Sequence, residues 1–572
     1  MPFVWELRAV VLLIVVALIA PLTGCSVIAY VSRPFRRLVR HKCASIVVVA
    51  LTSLITTASL AWVVGMPRPY IHDEFAYVLA ADTFAHGRVT NPTHPMWEHF
   101  ESHHIIHRPS YQSKYPPAQG LMMALGQVTT GHQILGVWFS LACACGATCW
   151  MLQGWTRPRW ALMGGLIMAV HPNLVVRWGE TYWGGAVAML GGALVLGAYA
   201  RLTRGRESAA VSAVCLGAGA VLLANSRPYE GLVLCIPVAT ALAVRVLRKG
   251  EEGTPQVRLR SLLISSVVVA AGAGLALYYN YRVTGSPMTM PYQVWMRQYA
   301  SQMSLSGLLW QVKTDTVRSG EARPHVMAGS LPPEFTAGDI RLDRDSRLMA
   351  KPLRHILFFF TPALVLPVLV LPRVLLSRRT MLPAVCYVLV LVAVLANSCS
   401  GHSHYYAPAT AAMCLLFVEG LRRIRNWKLG RHQWGRTLAA TLPLVPLVST
   451  VMLFWTASPG FVPPWAEWVK RRSEIEQELT ESGGKHLVLV RYQPGHNFDI
   501  EWVYNKADLA GSPILWARPF EGRRLESFIE QMPDRTVWEL DADSRQKELI
   551  PYASEVSEPR DSVATTAQYE QK

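Results

Sequence analysis

The 572-residue chain is 51% hydrophobic and only 16% charged, with a mean hydropathy of +0.23, whereas soluble domains carry roughly 25% charged residues. These figures exclude an ordinary soluble protein and indicate a membrane protein with a substantial non-membrane part. The net charge of +17 does not indicate nucleic acid, because Lys and Arg sit in short clusters between apolar runs, where they orient a membrane protein.

The first apolar run, 8–31, is too long for a signal-peptide core and lacks a basic region before it, so it reads as a retained span. Further runs at 43–66, 133–153, 160–176, 182–200, 209–225, 229–245, 261–280, 353–372, 381–397, 405–421 and 437–457 bring the total to about twelve crossings. Every second connection is basic: RPFRRLVRHK (33–42), TRPR (156–159), RLTRGR (201–206), RVLRKG (245–250) with RLR (258–260), RVLLSRR (373–379) and LRRIRNWKLGR (421–431). The positive-inside rule places these in the cytoplasm and the other connections outside, including the long loops 67–132 and 281–352. His72, Asp73, Glu74, Lys114, His171, Glu180, Arg227, Glu230, His402 and His404 then gather near span ends on the outer face, where ionisable groups are costly and point to function. The ten cysteines lie almost all in apolar runs, none after 414, and so frame no exported disulfide domain. Cys143 and Cys145, in CACGATC, read as part of a packed helix rather than a metal motif.

In the first outer loop, HDEFAY begins a helix predicted from the apolar spacing of AYVLAADTFAHG. Adjacent helical residues point about 100° apart, so one of Asp73 and Glu74 aims into a given site and the other is free to cap the helix; two capping acids are the alternative. Tyr77, four residues after Asp73, shares its face. His94, His99, His103, His104 and His107, with Glu98 and Glu101, are candidates for a metal site, His99, His103 and His107 being spaced to align on one helical face; a divalent ion is left open and no other cofactor is assigned. Trp97, Phe100 and Tyr111 are candidates for stacking on a sugar or resting on the lipid surface. In SKYPPAQG a lysine precedes a stiff Pro-Pro turn, where it either binds an anionic headgroup or snorkels.

After 456 the composition becomes that of a soluble domain. A helix is predicted over 465–481, strands at 486–492, 513–519 and 536–540, and a helix at 523–532, which together suggest a small α/β layer on the outer face. The expected division is 1–457 transmembrane, 458–553 exported α/β and 554–572 disordered. No internal repeat is legible.

With its many spans, DE after an early span, K-x-P-P before a later one, RPYEG, HYYAPATAAM and an exported C-terminal part, the chain resembles the GT-C superfamily of glycosyltransferases over about Ser45 to Arg425. Within it the protein O-mannosyltransferase and aminoarabinose transferase branch is the nearest match. The resemblance implies an all-α polytopic GT-C-like domain. It also implies an active-site acid at Asp73 or Glu74, the former being the aspartate that the O-mannosyltransferase branch assigns to the acceptor, and a lipid-phosphate lysine at Lys114. This chain departs from the family by inserting Tyr115 between the lysine and the prolines, and by carrying His404 where a late arginine is usual. Glu180, Arg227, His404 and Tyr405 complete the expected substrate-binding set with Lys114 and Tyr77.

The expected activity is transfer, with inversion, of a sugar from a polyprenyl-phosphate carrier to a hydroxyl of a glycan, lipid or protein at the outer face of the cytoplasmic membrane. No nucleotide motif is found, which fits a lipid-borne donor. The alternatives are a lipid or glycan transporter or flippase, whose charges belong near mid-span, and a non-catalytic envelope scaffold presenting 458–572.

Overall fold

The computed structural model describes residues 37–204, 208–247, 255–299, 379–396, 402–428, 434–457, 467–493, 499–520, 523–544 and 546–552, with 11, 35, 351, 352, 354–356, 358, 359, 377, 496 and 497. Nearly all of the span expected at 8–31, most of that at 353–372, most of the loop 281–352 and the tail from 554 lie outside them.

The described apolar segments are helical. They are α1 (Lys42–Val64), α4 (Gln133–Trp155), α5 (Pro158–Ala169), α6 (Gly185–Arg204), α7 (Ala209–Ala224), α8 (Pro228–Leu247), α9 (Pro255–Thr284), α11 (Met381–Ala396), α12 (Thr410–Ile424), α13 (Trp434–Thr441) and α14 (Leu444–Thr456). Among the described residues six helices are long and apolar enough to cross a membrane: Lys42–Val64, Gln133–Trp155, Gly185–Arg204, Pro228–Leu247, Leu259–Thr284 and Trp434–Thr456. His171-Pro172-Asn173 interrupts the segment expected at 160–176 as the sequence suggests, and a π-turn, Val175–Gly179, follows it.

Small residues set the helix crossings. A Cβ on Gly192 would strike the carbonyl of Pro408, and one on Gly136 the carbonyl of Met122, so these backbones approach as membrane helices do where side chains are absent. Cys145, Cys149 and Cys414 are buried in the same core as Leu152, Trp178 and Val418, in line with the packed-helix reading.

The loop 67–132 is largely ordered. It holds α2 (His72–Ala85), a 3-10 turn (Trp97–Phe100), the hairpin β1 (Ile105–Ile106) and β2 (Gln112–Ser113), and α3 (Pro117–Thr130), a helix not foreseen. Pro117 opens α3, where its missing N–H costs nothing. Another short helix, α10 (Pro291–Tyr299), packs Trp295 with Ile106, Tyr279 and Val283.

The C-terminal elements match their predicted positions: α15 (Glu467–Ser482), β3 (Lys485–Arg491), β4 (Ile514–Ala517), α16 (Arg523–Glu530) and β5 (Arg535–Asp541), with a short β6 (Ile550–Pro551). The sheet order is β4-β3-β5-β6. β3 runs parallel to β4 and β5, and β6 pairs antiparallel with β5. Flanked by two neighbours, β3 buries the consecutive apolar run Leu487, Val488, Leu489 and Val490. This layer shares one hydrophobic cluster with Phe75, Leu79, Phe100, Ile105 and Tyr111 of the loop 67–132.

Candidate active site

The first turn of α2 separates the two acids. Ile71 is its extended N-cap, and the helix turns Glu74 fully inward while Asp73 stays half-buried. Glu74 is 0% exposed and accepts backbone N–H bonds from Tyr70 and Tyr182, both at 2.9 Å. It reaches back past the N-cap, as an acid three residues into a helix commonly does, while tying the helix start to the segment before α6. Burial, aided by the charge of Asp73 and opposed by these hydrogen bonds, pushes its carboxyl up to about 7.

Asp73 keeps 32% of its side chain exposed. Its Oδ1 accepts from the Tyr115 hydroxyl and lies 3.2 Å from His104 Nδ1, and the Tyr115 hydroxyl is 3.1 Å from that same nitrogen. The hairpin produces this arrangement: its register pairs Ile105 with Ser113, the Lys114 N–H bonds the His104 carbonyl at 3.1 Å, and His104 turns back at φ 65°. Burial opposes ionisation of Asp73, but the His104 contact and the charge of Lys114 outweigh it and hold the carboxyl well below the usual carboxylate range. His104 is driven down to about 3 by burial and by Lys114, against the pull of Asp73. The pair at neutral pH is therefore a carboxylate beside a neutral imidazole.

Lys114 does not snorkel. It is 4% exposed, with Nζ 3.4 Å from the Trp295 ring centroid and 5.2 and 5.3 Å from those of Tyr115 and Tyr292. Tyr77 shares the Asp73 face as expected and stacks on Tyr115, with ring centroids 4.6 Å apart. Arg227 sits 4.8 Å over the Tyr405 ring and interacts electrostatically with both Tyr77 and Asp73. His404 packs edge-on against Trp183 at 4.9 Å, and burial, with the nearby charge of Arg227, holds it neutral. Asp73, Lys114, Tyr77, Arg227, His404 and Tyr405 thus form one neighbourhood. Glu180 stands apart: its carboxyl is pushed up to about 8 by burial, its charge acts on Tyr182, and no contact with Asp73 is found among the described residues.

The histidine series is not a helical face. His99 lies in the 3-10 turn, with Nδ1 2.8 Å from the Arg518 carbonyl and its ring stacked on Phe528. His103 packs against His72 and His104, and His107 packs against Tyr111. The chain bends between these positions, and among the described residues no three His, Cys, Asp or Glu groups are arranged to hold a metal ion. Trp97, Phe100 and Tyr111 are buried at 8%, 1% and 2% exposure, so they build the loop's core instead of stacking on a sugar.

Sequence reasoning missed four contributors. Tyr115 was visible only as an insertion beside Lys114. Trp295, Tyr292 and Tyr504 sit in segments without a local motif; Tyr504 reaches the site from the C-terminal layer, its hydroxyl 2.6 Å from His72 Nδ1.

No protein-family model and no curated protein matches the sequence. Among solved structures, the chain is similar to the archaeal oligosaccharyltransferase AglB from Archaeoglobus fulgidus in complex with an inhibitory peptide and a dolichol-phosphate, at 12% identity over 91% of this chain and 75% of that one, TM-score 0.47. It is also similar to ArnT from Cupriavidus metallidurans bound to undecaprenyl phosphate, at 13% identity over 86% of this chain and 88% of that one, TM-score 0.47.

Proposed function

We propose that the chain is an integral-membrane glycosyltransferase that moves a sugar from a polyprenyl-phosphate carrier to an acceptor hydroxyl, in the manner of the GT-C proteins its motifs resemble. The observation that carries this reading is Asp73: a part-exposed carboxylate, held ionised, with one oxygen engaged by Tyr115 and the cations Lys114 and Arg227 nearby. An acceptor hydroxyl hydrogen-bonded to the other oxygen, Oδ2, is oriented for attack on the anomeric carbon. As the new C–O bond forms, the bond to the phosphate oxygen breaks and the hydroxyl proton passes to Asp73.

A carboxylate well below its usual range is a weak base, so it takes the proton late and acts first by orienting the hydroxyl and stabilising positive charge at the anomeric carbon. The departing phosphate gains negative charge beside Lys114 and Arg227. A single displacement inverts the anomeric centre. Asp73 in the first turn of α2, Arg227 just before α8 and His404 just before α12 lie at or beside helix starts, where a headgroup at the membrane surface would lie, and not at mid-helix, where the charges of a transporter belong. Mass spectrometry of cell-envelope glycoconjugates from cells with and without the protein tests the reading. Loss of a glycoform supports it, and identical envelopes under conditions where the protein is expressed argue against it.

A further inference from the structure

The helix that carries Asp73 is held at both ends by the C-terminal layer. At its start, the Tyr504 hydroxyl is 2.6 Å from His72 Nδ1 and 3.4 Å from the His103 carbonyl. The Tyr504 ring lies parallel to Phe75, with centroids 4.2 Å apart. Toward the helix end, Asp82 Oδ2 accepts the Ala507 N–H at 2.8 Å. Between these points the Tyr111 hydroxyl bonds the Asn505 carbonyl at 3.1 Å. The segment Tyr504 to Ala507 that makes these contacts is itself pinned by Arg472 of α15, which donates to the Tyr504 carbonyl at 2.8 Å.

Tyr504 and His72 are each 4% exposed, so their contact is shielded from competing water and worth more than a surface hydrogen bond. His72 immediately precedes Asp73, and its ring packs against His103 and His104 at 4.9 and 5.9 Å. His104 in turn touches Asp73. Any shift of the His72 ring therefore reaches the carboxylate by two routes, through the adjoining backbone and through His104.

We infer that Tyr504 is a positioning residue for Asp73, acting through His72, and that the C-terminal layer is a structural wall of the active site instead of a separable binding module. The inference rests on the glycosyltransferase reading for its link to catalysis, but the positioning of Asp73 is measurable without it.

The experiment compares the full-length wild-type protein with Tyr504→Phe, which keeps the stacking ring and removes the hydroxyl, and with Arg524→Ala, which breaks the exposed Arg524–Glu98 pair of 3.7 Å on the same seam. Two quantities are read: the rate at which a water-soluble carbodiimide and a labelled amine modify Asp73, followed by peptide mass spectrometry, and the kcat and KM for sugar transfer. Tyr504→Phe is expected to change the Asp73 labelling rate severalfold and to lower kcat about ten- to a hundredfold at unchanged donor KM, as a small misplacement of a reacting group does. Its thermal midpoint falls by no more than a few degrees, as the loss of one buried hydrogen bond allows, and Arg524→Ala alters neither labelling nor transfer. An unchanged labelling rate in Tyr504→Phe overturns the positioning role, whatever the activity. A changed labelling rate with unaltered kcat overturns its link to catalysis. Absence of transfer by the wild-type protein itself tells against the glycosyltransferase reading, and the labelling rate then still decides whether Tyr504 positions Asp73.

Discussion

The Tyr115 hydroxyl donates a hydrogen bond to Oδ1 of Asp73, so the residue that departs from the K-P-P pattern is also the one that touches the acid most directly. The inserted residue links the two ends of the loop: it follows Lys114 in the chain, stacks on Tyr77 one helical turn beyond Asp73, and leaves Oδ2 as the oxygen for a substrate.

Removing this donor destabilises the anion, so Tyr115→Phe should raise the Asp73 pKa. The sign follows directly. Asp73 in the folded protein lies below its ordinary value, so its contribution to stability is present above that value and fades as pH falls through the folded one. In Tyr115→Phe the acid limb of the transfer rate should move to higher pH and the rate at neutral pH should fall about tenfold. A pH–rate profile superimposable on wild type would remove Tyr115 from the site.

Glu74 behaves in the opposite sense. Its carboxyl rises from 4.5 to about 7 on folding, so the stability it contributes is fully present below 4.5 and is lost as pH rises through about 7. Glu74→Gln stays neutral throughout. The destabilisation caused by this substitution should therefore shrink by about 3 kcal/mol between pH 4.5 and 7, read as the difference in unfolding free energy from wild type at each pH. A constant difference would mean that Glu74 is ionised in the fold.

Lys114→Ala should weaken the apparent affinity for a polyprenyl-phosphate sugar about ten- to a hundredfold, the scale of one charge-assisted contact. Because Nζ sits over the Trp295 ring, the substitution should also cost about 1–2 kcal/mol of stability, more than a surface lysine would. Donor titration and thermal unfolding separate the two effects, and unaltered donor affinity would exclude Lys114 from phosphate binding.

From the alternation of basic loops we propose that the C-terminal layer lies outside the cytoplasm. A phosphatase that folds only in an oxidising compartment, fused after Lys572, should be active, and a fusion active only with a cytoplasmic reporter would place Asp73 on the inner face as well.

Legibility followed locality. The helices at 133–155 and 185–204 and the strands at 485–491 and 535–541 carry their own periodicity or apolar runs, and all fell within a few residues of where their patterns put them. The position of Asp73 at a helix start was readable for the same reason. The division of labour between Asp73 and Glu74 became visible only with Tyr182, which binds Glu74 from 108 positions away, and the Lys114 cage only with Trp295 on α10. Even spacing misled at His99, His103 and His107: an i, i+4 pattern aligns side chains only on a helix, and the chain there forms a 3-10 turn, a bend at His104 and a hairpin.

The most direct test is the transfer rate of Asp73→Asn beside that of Glu74→Gln, in protein shown to fold and insert. The amide keeps the shape of Asp73 and removes the proton acceptor, so transfer should fall about a hundred- to ten-thousandfold, while Glu74→Gln retains most of its rate. Near-normal transfer by Asp73→Asn with an inactive Glu74→Gln would reverse the assignment, and full activity in both would contradict the mechanism.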